Sequence, residues 1–255
     1  MTRRYALRDD QWERIEPVLP GREGHVGVTA RDNRLFVDAV LYRYRAGIAW
    51  RDLPERFGDF RVVHLRPLAL EHNRRVAALV CRAGTGPRQR VRLNRQHDCA
   101  CPPAQRGGKK RGPGQNNQAI GRSRGGLSTK IHATVDALGN PTGFHLTPGQ
   151  AHDLEGADVL LKDSEAEAVI ADKAYDAQAR VIEPLLKAGK QVVIPPRSTR
   201  KQQRDYDRHL YKARHLIENF FARLKQYRAI ATRYDKTARN FLGAIHLAAA
   251  VVWLN

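Results

Sequence analysis

The sequence predicts a mixed α/β fold in which helices flank a sheet, preceded by a small all-helical N-terminal region. The hydrophobic pattern has a helical period in the first sixty residues and alternates in steps of two after Gly125. The later elements then follow in the order hairpin, strand, helix and strand, which is typical of a mixed sheet. The chain of 255 residues, 42% of them hydrophobic, is long enough to bury a substantial core.

Residues 1–64 predict two or three short helices that form a region of their own. Apolar residues recur at helical spacing before Pro20, from Asp32 to Gly47, and around 53–57. Such helices, joined by a Gly-containing turn, suit a helix-turn-helix DNA reader. A helical cap with solvated arginines is the open alternative. The arginines concerned are Arg43, Arg45, Arg51 and Arg56.

Residues 118–255 predict the α/β region. The stretch 127–135 alternates and is followed by the turn Gly139-Asn140-Pro141, which indicates a β-hairpin. The expected strands are 127–135, 142–146, 168–171 and 191–194, and the expected helices are 154–161, 177–187 and 205–227.

The charge of the chain predicts a polyanionic partner. Counting 45 Lys and Arg against 26 Asp and Glu gives a net charge of +19, which is typical of proteins that bind nucleic acid. The longest apolar run, 241–254, is shorter than the roughly 20 residues that cross a bilayer. The N-terminus also lacks the apolar core of a secretory signal. We therefore expect a cytoplasmic protein with no membrane partner.

Residues 65–117 break the pattern and predict an irregular basic segment. Between Leu65 and Gln115, ten Arg and two Lys stand against Glu71 and Asp98, and prolines interrupt any periodicity. The segment also holds all three cysteines, which form neither a disulfide framework nor a paired zinc motif. At face value it is a basic linker or a nucleic-acid-binding arm.

Two carboxylates are candidates for chemistry. Asp172 directly follows the predicted strand 168–171, and the carboxyl end of a strand in an α/β sheet is where ligands gather. An Asp at this place is as often a cap as a catalyst, and Asp176 suits a helix N-cap. In the predicted helix 205–227, Glu218 shares one face with three residues whose side chains can donate hydrogen bonds to phosphates. Apolar residues occupy the opposite face of this helix. The three residues are Tyr211, Arg214 and Lys225. This face is either a solvated salt-bridge surface or a site of metal-dependent phosphodiester chemistry.

The spacing Tyr211-x2-Arg214-x3-Glu218-x6-Lys225 resembles the Tyr-Arg-Glu-Lys signature of bacterial insertion-sequence transposases of the DDE type. The segments 171–176, 125–130 and 147–150 are similar to that family as well, and the similarity covers 1–64 and 118–255. The resemblance implies a ribonuclease-H-like fold and a divalent metal, usually Mg²⁺, held by Asp172, Glu218 and a first Asp on the central strand. It also implies that Tyr211, Arg214 and Lys225 hold DNA, that the partners are terminal repeats and target DNA, and that the protein lies near the bacterial nucleoid. Whether it is a homo-oligomer cannot be read from the sequence.

The first Asp of that family has no clear counterpart in this sequence. Only Asp98 is available before the hairpin, and its neighbours lack an apolar run, so the residues predict a loop there. Synonymous codons for residues 95–110 can be chosen so that the adjoining reading frame encodes Asp-Ser-Thr-Ile-Val-Arg. That peptide resembles the family's first-Asp segment. Codons for residues 65–79 can likewise be chosen so that the adjoining frame encodes a peptide that resembles the family's tryptophan-rich stretch. We hypothesise that 65–115 is decoded out of frame, with a divergent linker as the alternative.

The sequence therefore predicts a DDE-type transposase that cuts and joins DNA, defective in this chain because its central strand is missing or degraded. We expect 65–115 to be irregular and two carboxylates to hold a metal pair poorly. The alternatives are a non-catalytic DNA-binding protein at element ends and a ribonuclease-H-like nuclease without strand-transfer activity.

Overall fold

The structure is a computed structural model that describes residues 5–19, 21, 24, 29–65, 91–101, 118–162 and 164–254, with the backbone alone for 18, 65 and 91–98. Within these residues, six strands form one mixed sheet. The strands are β1 (Val91–Ala100), β2 (Gly121–Ser123), β3 (Gly126–Val135), β4 (Pro141–Pro148), β5 (Ala168–Ala171) and β6 (Gln191–Val193).

β1 lies at the centre of the sheet. The order across the sheet is β4, β3, β1, β5 and β6, with β2 pairing the start of β3. The hairpin of β3 and β4 is antiparallel and β3 is antiparallel to β1, whereas β5 and β6 run parallel to β1. A mixed sheet of this order with helices on both faces is the ribonuclease-H-like architecture that the resemblance implies.

The prediction that the central strand is missing was wrong. Residues 91–100, expected to be irregular, form β1, and Asp98, expected in a loop, pairs with Lys130 of β3. The physical reason is non-local, because β3 and β5 each have backbone N–H and C=O groups that need a partner strand between them. That requirement overrides the weak strand propensity of an Arg- and Gln-rich segment. The rest of the predicted irregular segment, 66–90 and 102–117, lies outside the described residues.

The N-terminal elements are α1 (Asp9–Ile15), α2 (Asn33–Ala46) and α3 (Phe60–Leu65), with 3₁₀ turns at Glu16–Val18, Trp50–Asp52 and Glu55–Phe57. Among these helices, α2 begins and ends where local signals predict, whereas α1 ends at Ile15, before the predicted stop at Pro20. The carboxylate of Asp32 caps α2 by accepting from the N–H of Leu35 at 2.8 Å, and Gly47 ends it with φ of +71°. The helix expected at 53–57 is a single 3₁₀ turn.

The N-terminal helices share one hydrophobic core with the C-terminal helices and one face of the sheet. Arg43 of α2 is buried and lies 3.7 Å from the carboxylate of Asp235, to which the Tyr44 hydroxyl donates at 3.0 Å. Burial, followed by the negative charge of Asp235, raises the pKa of Tyr44 well above its usual value. Arg43 is therefore part of this packing contact rather than a residue exposed to DNA.

Helices cover both faces of the sheet. In the C-terminal half they are α4 (Leu154–Leu160), α5 (Glu183–Lys187), α6 (Arg208–Tyr211), α7 (His215–Lys225), α8 (Arg228–Ala231) and α9 (Ala238–Trp253), with a π-helix at Gln178–Ile182 and 3₁₀ turns at Lys173–Tyr175 and Lys212–Arg214. One core cluster joins α7 and α9 to the face bearing Ile131 and Ile170, and the other joins α4 and α5 to the face bearing Val169. None of the helices that the structure describes is long and apolar enough to cross a membrane.

Candidate nucleic-acid and phosphodiester site

Asp172 lies at the carboxyl end of β5, as the sequence predicted. The strand Ala168–Ala171 is fully buried, so the chain emerges from the sheet at Asp172 with an extended backbone and turns into the 3₁₀ turn Lys173–Tyr175. The Asp172 side chain is 35% exposed. A carboxylate at this edge is held by a rigid strand and still reaches solvent.

The helix predicted over 205–227 forms as two helices with a 3₁₀ turn between them. The carboxylate of Asp207 starts α6 by accepting from the N–H groups of His209 and Leu210, both at 2.8 Å. Ile217 and Leu224 of α7 are buried in the core shared with the sheet. This packing turns the polar side of the helix pair towards Asp172.

Arg214 joins the two predicted catalytic carboxylates. Its Nη1 lies 3.2 Å from Oδ2 of Asp172, and its Nη2 lies 2.8 Å from Oε1 of Glu218. The Arg214 side chain is 26% exposed and the Glu218 side chain is 38% exposed. Three of the sequence-predicted residues therefore meet at one place, although Asp172 and Arg214 are far apart in the chain.

Tyr211 completes the cluster. Its hydroxyl lies 3.5 Å from Oδ1 of Asp172, at the limit of a hydrogen bond, and its ring packs against Tyr206 at 5.5 Å between centroids. Partial burial, followed by the negative charge of Asp172, raises the pKa of Tyr211. The phenol therefore stays protonated at neutral pH and is available as a donor to an anion.

Lys225 lies apart from this cluster. It is exposed at the end of α7, seven residues after Glu218, which corresponds to about 10 Å along the helix axis. The structure therefore brings together Asp172, Tyr211, Arg214 and Glu218, with Lys225 two turns away on the same helix.

Asp176 is not a helix N-cap, which corrects the prediction. Its side chain is only 2% exposed and accepts from Arg200 at 2.6 Å and from the backbone N–H of Arg197 at 2.8 Å. Arg204 lies 3.4 Å from the same carboxylate. The π-helix that follows has Ala177 at its N-cap, so Asp176 is free to anchor the segment after β6.

The sequence did not predict a second, partly buried ionic contact near this edge of the sheet. Lys130 of β3 donates to Oδ1 of Asp153 at 2.7 Å and to the carbonyl of Ala151 at 2.8 Å. Burial, followed by the charges of Asp153 and Asp172, raises the pKa of Tyr175. The only sequence signal for this pair is that Lys130 lies in a predicted strand and Asp153 comes directly before a predicted helix.

Family models match two parts of the chain. A model described as "Transposase DDE domain" matches residues 95–253, which is more than half of the chain, and one described as "Putative transposase of IS4/5 family" matches residues 7–80. The chain belongs to the DDE transposase family.

Two curated proteins are similar to this DDE transposase. One, from Brucella ovis, is described as a putative transposase for insertion sequence element IS6501 and is 45% identical over 131 residues, covering 50% of this chain and 99% of the relative. The other, an uncharacterized protein y4sN from Sinorhizobium fredii, is 53% identical over 61 residues, covering 24% of this chain and 49% of the relative. A solved structure, the Mos1 transposase paired-end complex with left transposon end, aligns over 88% of this chain and 78% of that one, with 13% identity and a TM-score of 0.28.

The carboxylates of this DDE transposase do not fit a metal pair as they stand. Asp172 and Glu218 are bridged by the guanidinium of Arg214, which occupies the place between the two carboxylates. Among the residues whose side chains are described, no group of three or more His, Cys, Asp or Glu could hold a metal ion. A metal pair needs more carboxylate oxygens than two side chains supply.

Proposed function

We propose that this chain is an insertion-sequence transposase that still binds DNA across the face formed by α6 and α7 but does not cut it. The observation that carries the proposal is the meeting of Asp172, Tyr211, Arg214 and Glu218 in a member of the DDE transposase family. In this proposal Arg214, Tyr211 and Lys225 hold the phosphates of the DNA, as the family signature implies. The partners are the terminal repeats of the element and its target DNA.

A basic segment supports the DNA-binding part of the proposal. Residues 197–212, which we call the basic segment, carry six cations against Asp205 and Asp207. Arg197 donates to the carbonyl oxygens of Lys173 at 3.1 Å and Ala174 at 2.7 Å, which fixes the segment beside the turn after Asp172. The six cations are Arg197, Arg200, Lys201, Arg204, Arg208 and Lys212.

Two kinds of cation are present in the basic segment. Arg200 and Arg204 are engaged by Asp176, whereas Lys201, Arg208 and Lys212 are exposed. Exposed cations close to a carboxylate site are suited to neutralise the phosphates of a strand that approaches that site. The segment therefore offers the backbone contacts, and the cluster around Arg214 offers the place where a phosphate would lie.

The family resemblance is the basis for expecting a metal. It implies Mg²⁺, with Asp172 and Glu218 among its ligands. Because two carboxylates bridged by Arg214 do not fit a metal pair, no cutting step follows from these residues. The proposed function therefore amounts to that of a non-catalytic DNA-binding protein that occupies element ends.

DNA binding is the test of the proposal. Fluorescence anisotropy would measure affinity for a labelled duplex from one end of the element that carries this gene, over a series of salt concentrations. The double substitution Arg208→Ala and Lys212→Ala removes two exposed cations and is expected to lower the slope of log affinity against log salt by about 1.8. A control with the same charge change, Lys162→Ala and Lys187→Ala, lies beside α4 and α5 on the opposite side of the sheet and is expected to leave the slope unchanged. A flat salt response of the unmodified chain, or equal losses in the two variants, would overturn the proposal.

A further inference from the structure

A basic pocket lies between the end of α2 and the end of α7. It has a volume of about 260 Å³ and is lined by Arg45 of α2, Arg223 of α7, Gln226 just after α7, and Val252 of α9. Arg223 and Gln226 are exposed, so the pocket is open to solvent. Three of its four lining side chains can donate hydrogen bonds and none can accept one as an anion, which suits a negatively charged ligand.

Gly47 allows the two helix ends to approach each other. It ends α2 with φ of +71°, and a Cβ at this position would lie 2.7 Å from the Cβ of Arg228, the first residue of α8. Any side chain at position 47 would therefore push the end of α2 away from the residues that follow α7. The pocket is thus a product of the packing between the N-terminal helices and the C-terminal half of the chain.

Aromatic rings hold Arg45 in place at the pocket. Its guanidinium carbon lies 4.6 Å from the ring centroid of Tyr227 and 5.7 Å from that of Tyr5, and its Nη2 donates to the Tyr227 hydroxyl at 3.4 Å. The rings restrict the guanidinium without neutralising its charge. Arg45 therefore loses little further side-chain entropy when it binds an anion.

The positive charge around the pocket is not balanced by carboxylates. Among the residues whose side chains are described, none has a carboxylate within 4.0 Å of a guanidinium nitrogen of Arg45 or Arg223. The stretch 223–228 contains three exposed cations, Arg223, Lys225 and Arg228, and no acidic residue. Guanidinium groups form paired, charge-assisted hydrogen bonds with phosphate oxygens. The chemistry of the pocket therefore favours a phosphate group.

The pocket is distinct from the cluster around Asp172 and lies on the other flank of α7. With 3.6 residues per turn, Arg223 is about 140° around the helix from Glu218. The exposed side of α7 between these two flanks carries no carboxylate, and its residues are His215, Asn219 and Ala222. A DNA strand with one phosphate beside Arg214 can therefore cross α7, which is about 10 Å wide, and reach the pocket without passing a negative charge.

We propose that the pocket between α2 and α7 binds one phosphate of the DNA backbone, held jointly by Arg45 and Arg223 with the amide of Gln226 as a further donor. The proposal gives a role to Arg45, which the sequence left open between a DNA contact and a solvated arginine. One phosphate then contacts both the N-terminal helices and the C-terminal half of the chain. This inference rests on the proposed function, since it adds a second point of contact with the same DNA.

The salt dependence of DNA binding tests whether the two arginines share a phosphate. The anisotropy series would compare the unmodified chain with the double variant Arg45→Gln and Arg223→Gln. Because both arginines hold a single phosphate, the double variant is expected to lower the slope of log affinity against log salt by about 0.9. The control Lys162→Gln and Lys187→Gln has the same charge change and is expected to keep the slope. An unchanged slope in the pocket variant, or a decrease of about 1.8 that indicates two separate phosphates, would overturn the proposal.

A scan of the DNA backbone tests the contact at one linkage. Each duplex would carry a single methylphosphonate, which removes the charge of one phosphate. At one linkage this change is expected to weaken binding by the unmodified chain at least about threefold and to leave binding by Arg223→Gln unchanged. Arg223 is exposed, so this single variant keeps the test available if the double variant fails to fold, which circular dichroism would show. A scan in which every linkage affects both proteins equally would overturn the proposal.

Calorimetric titration with inorganic phosphate distinguishes a DNA phosphate from a free one. Binding of inorganic phosphate that the double variant loses, together with an unchanged DNA slope, would assign the pocket to a free phosphate compound and overturn the proposal. The two proposals also fail separately. A flat salt response of the unmodified chain refutes the proposed function, whereas a normal salt response that the pocket variants do not alter refutes this inference alone.

Discussion

Arg214 lies 3.2 Å from Asp172, although the two residues are 42 positions apart in the chain. The contact joins the end of β5 to the turn between α6 and α7, and the same guanidinium reaches Glu218. A cation between two carboxylates offsets their mutual repulsion, so the site is held together by its own residues. The turn after Asp172 is also held from its other side, by the contacts of Asp176.

Asp176→Asn is expected to release the basic segment formed by residues 197–212. The substitution removes the buried charge that Arg200 and Arg204 contact and should cost about 2 kcal/mol of local stability. Because the segment is rich in Lys and Arg, limited trypsin digestion should then cut within 197–204 several times faster than in the unmodified chain. The control Glu165→Gln, at an exposed acidic residue, should leave the digestion rate unchanged. Equal digestion rates for all three proteins would show that Asp176 does not anchor the segment.

Two helical glycines are expected to respond oppositely to alanine. A Cβ at Gly156 of α4 would lie 2.2 Å from the buried His132 ring, so Gly156→Ala should lower the free energy of unfolding by about 1–3 kcal/mol. At Gly243 of α9 a Cβ would meet nothing within 4 Å, so Gly243→Ala should raise it by about 0.5–1 kcal/mol. Urea denaturation would measure both. A Gly156→Ala variant as stable as the unmodified chain would contradict the packing of α4 on β3.

Stability is expected to fall as the pH is lowered through the range in which histidine takes up a proton. Burial, followed by the charge of His145, lowers the pKa of His132 from 6.5 to about 4. The unfolded chain therefore binds a proton near pH 6.5 that the folded chain accepts only near pH 4. The folded state loses stability across this window, by up to about 1.4 kcal/mol for each unit of pH.

Urea denaturation at several pH values would isolate the contribution of His132. His132→Asn cannot be protonated at this position, so its free energy of unfolding should fall less steeply between pH 7 and pH 5 than that of the unmodified chain. The exposed His209 provides the control, because His209→Asn should keep the full pH dependence. Parallel curves for the unmodified chain and His132→Asn would show that the buried imidazole does not cause the dependence.

Elements encoded by local patterns could be predicted from the sequence. The strand 168–171 was confirmed at both ends, because its continuous apolar run is bounded by polar residues. The hairpin was confirmed with slightly longer strands, and α2 was confirmed with its Asp32 cap and its Gly47 end. The helix face bearing Tyr211, Arg214 and Glu218 was also predicted, because residues three and four apart share a face even across a 3₁₀ turn.

Features that depend on distant partners could not be predicted in the same way. β1 has few apolar residues, and its place in the sheet follows from the unpaired edges of β3 and β5, which no local pattern encodes. The role of Asp176 depends on arginines more than twenty positions later in the chain. The pairing of Asp98 with Lys130 follows only from the register of β1 with β3, which no local pattern determines.

We propose that this transposase keeps the geometry around Asp172 and Glu218 but lacks the carboxylate needed for cutting. Mg²⁺-dependent cleavage of a labelled element end tests it most directly, with the unmodified chain compared with a version whose codons for 65–115 are read in the adjoining frame. We expect no cleavage by the unmodified chain, cleavage by the frame-restored version, and loss of that cleavage on Glu218→Gln with DNA binding retained. Cleavage by the unmodified chain that disappears on Asp98→Asn would contradict the account and would make Asp98 the third ligand.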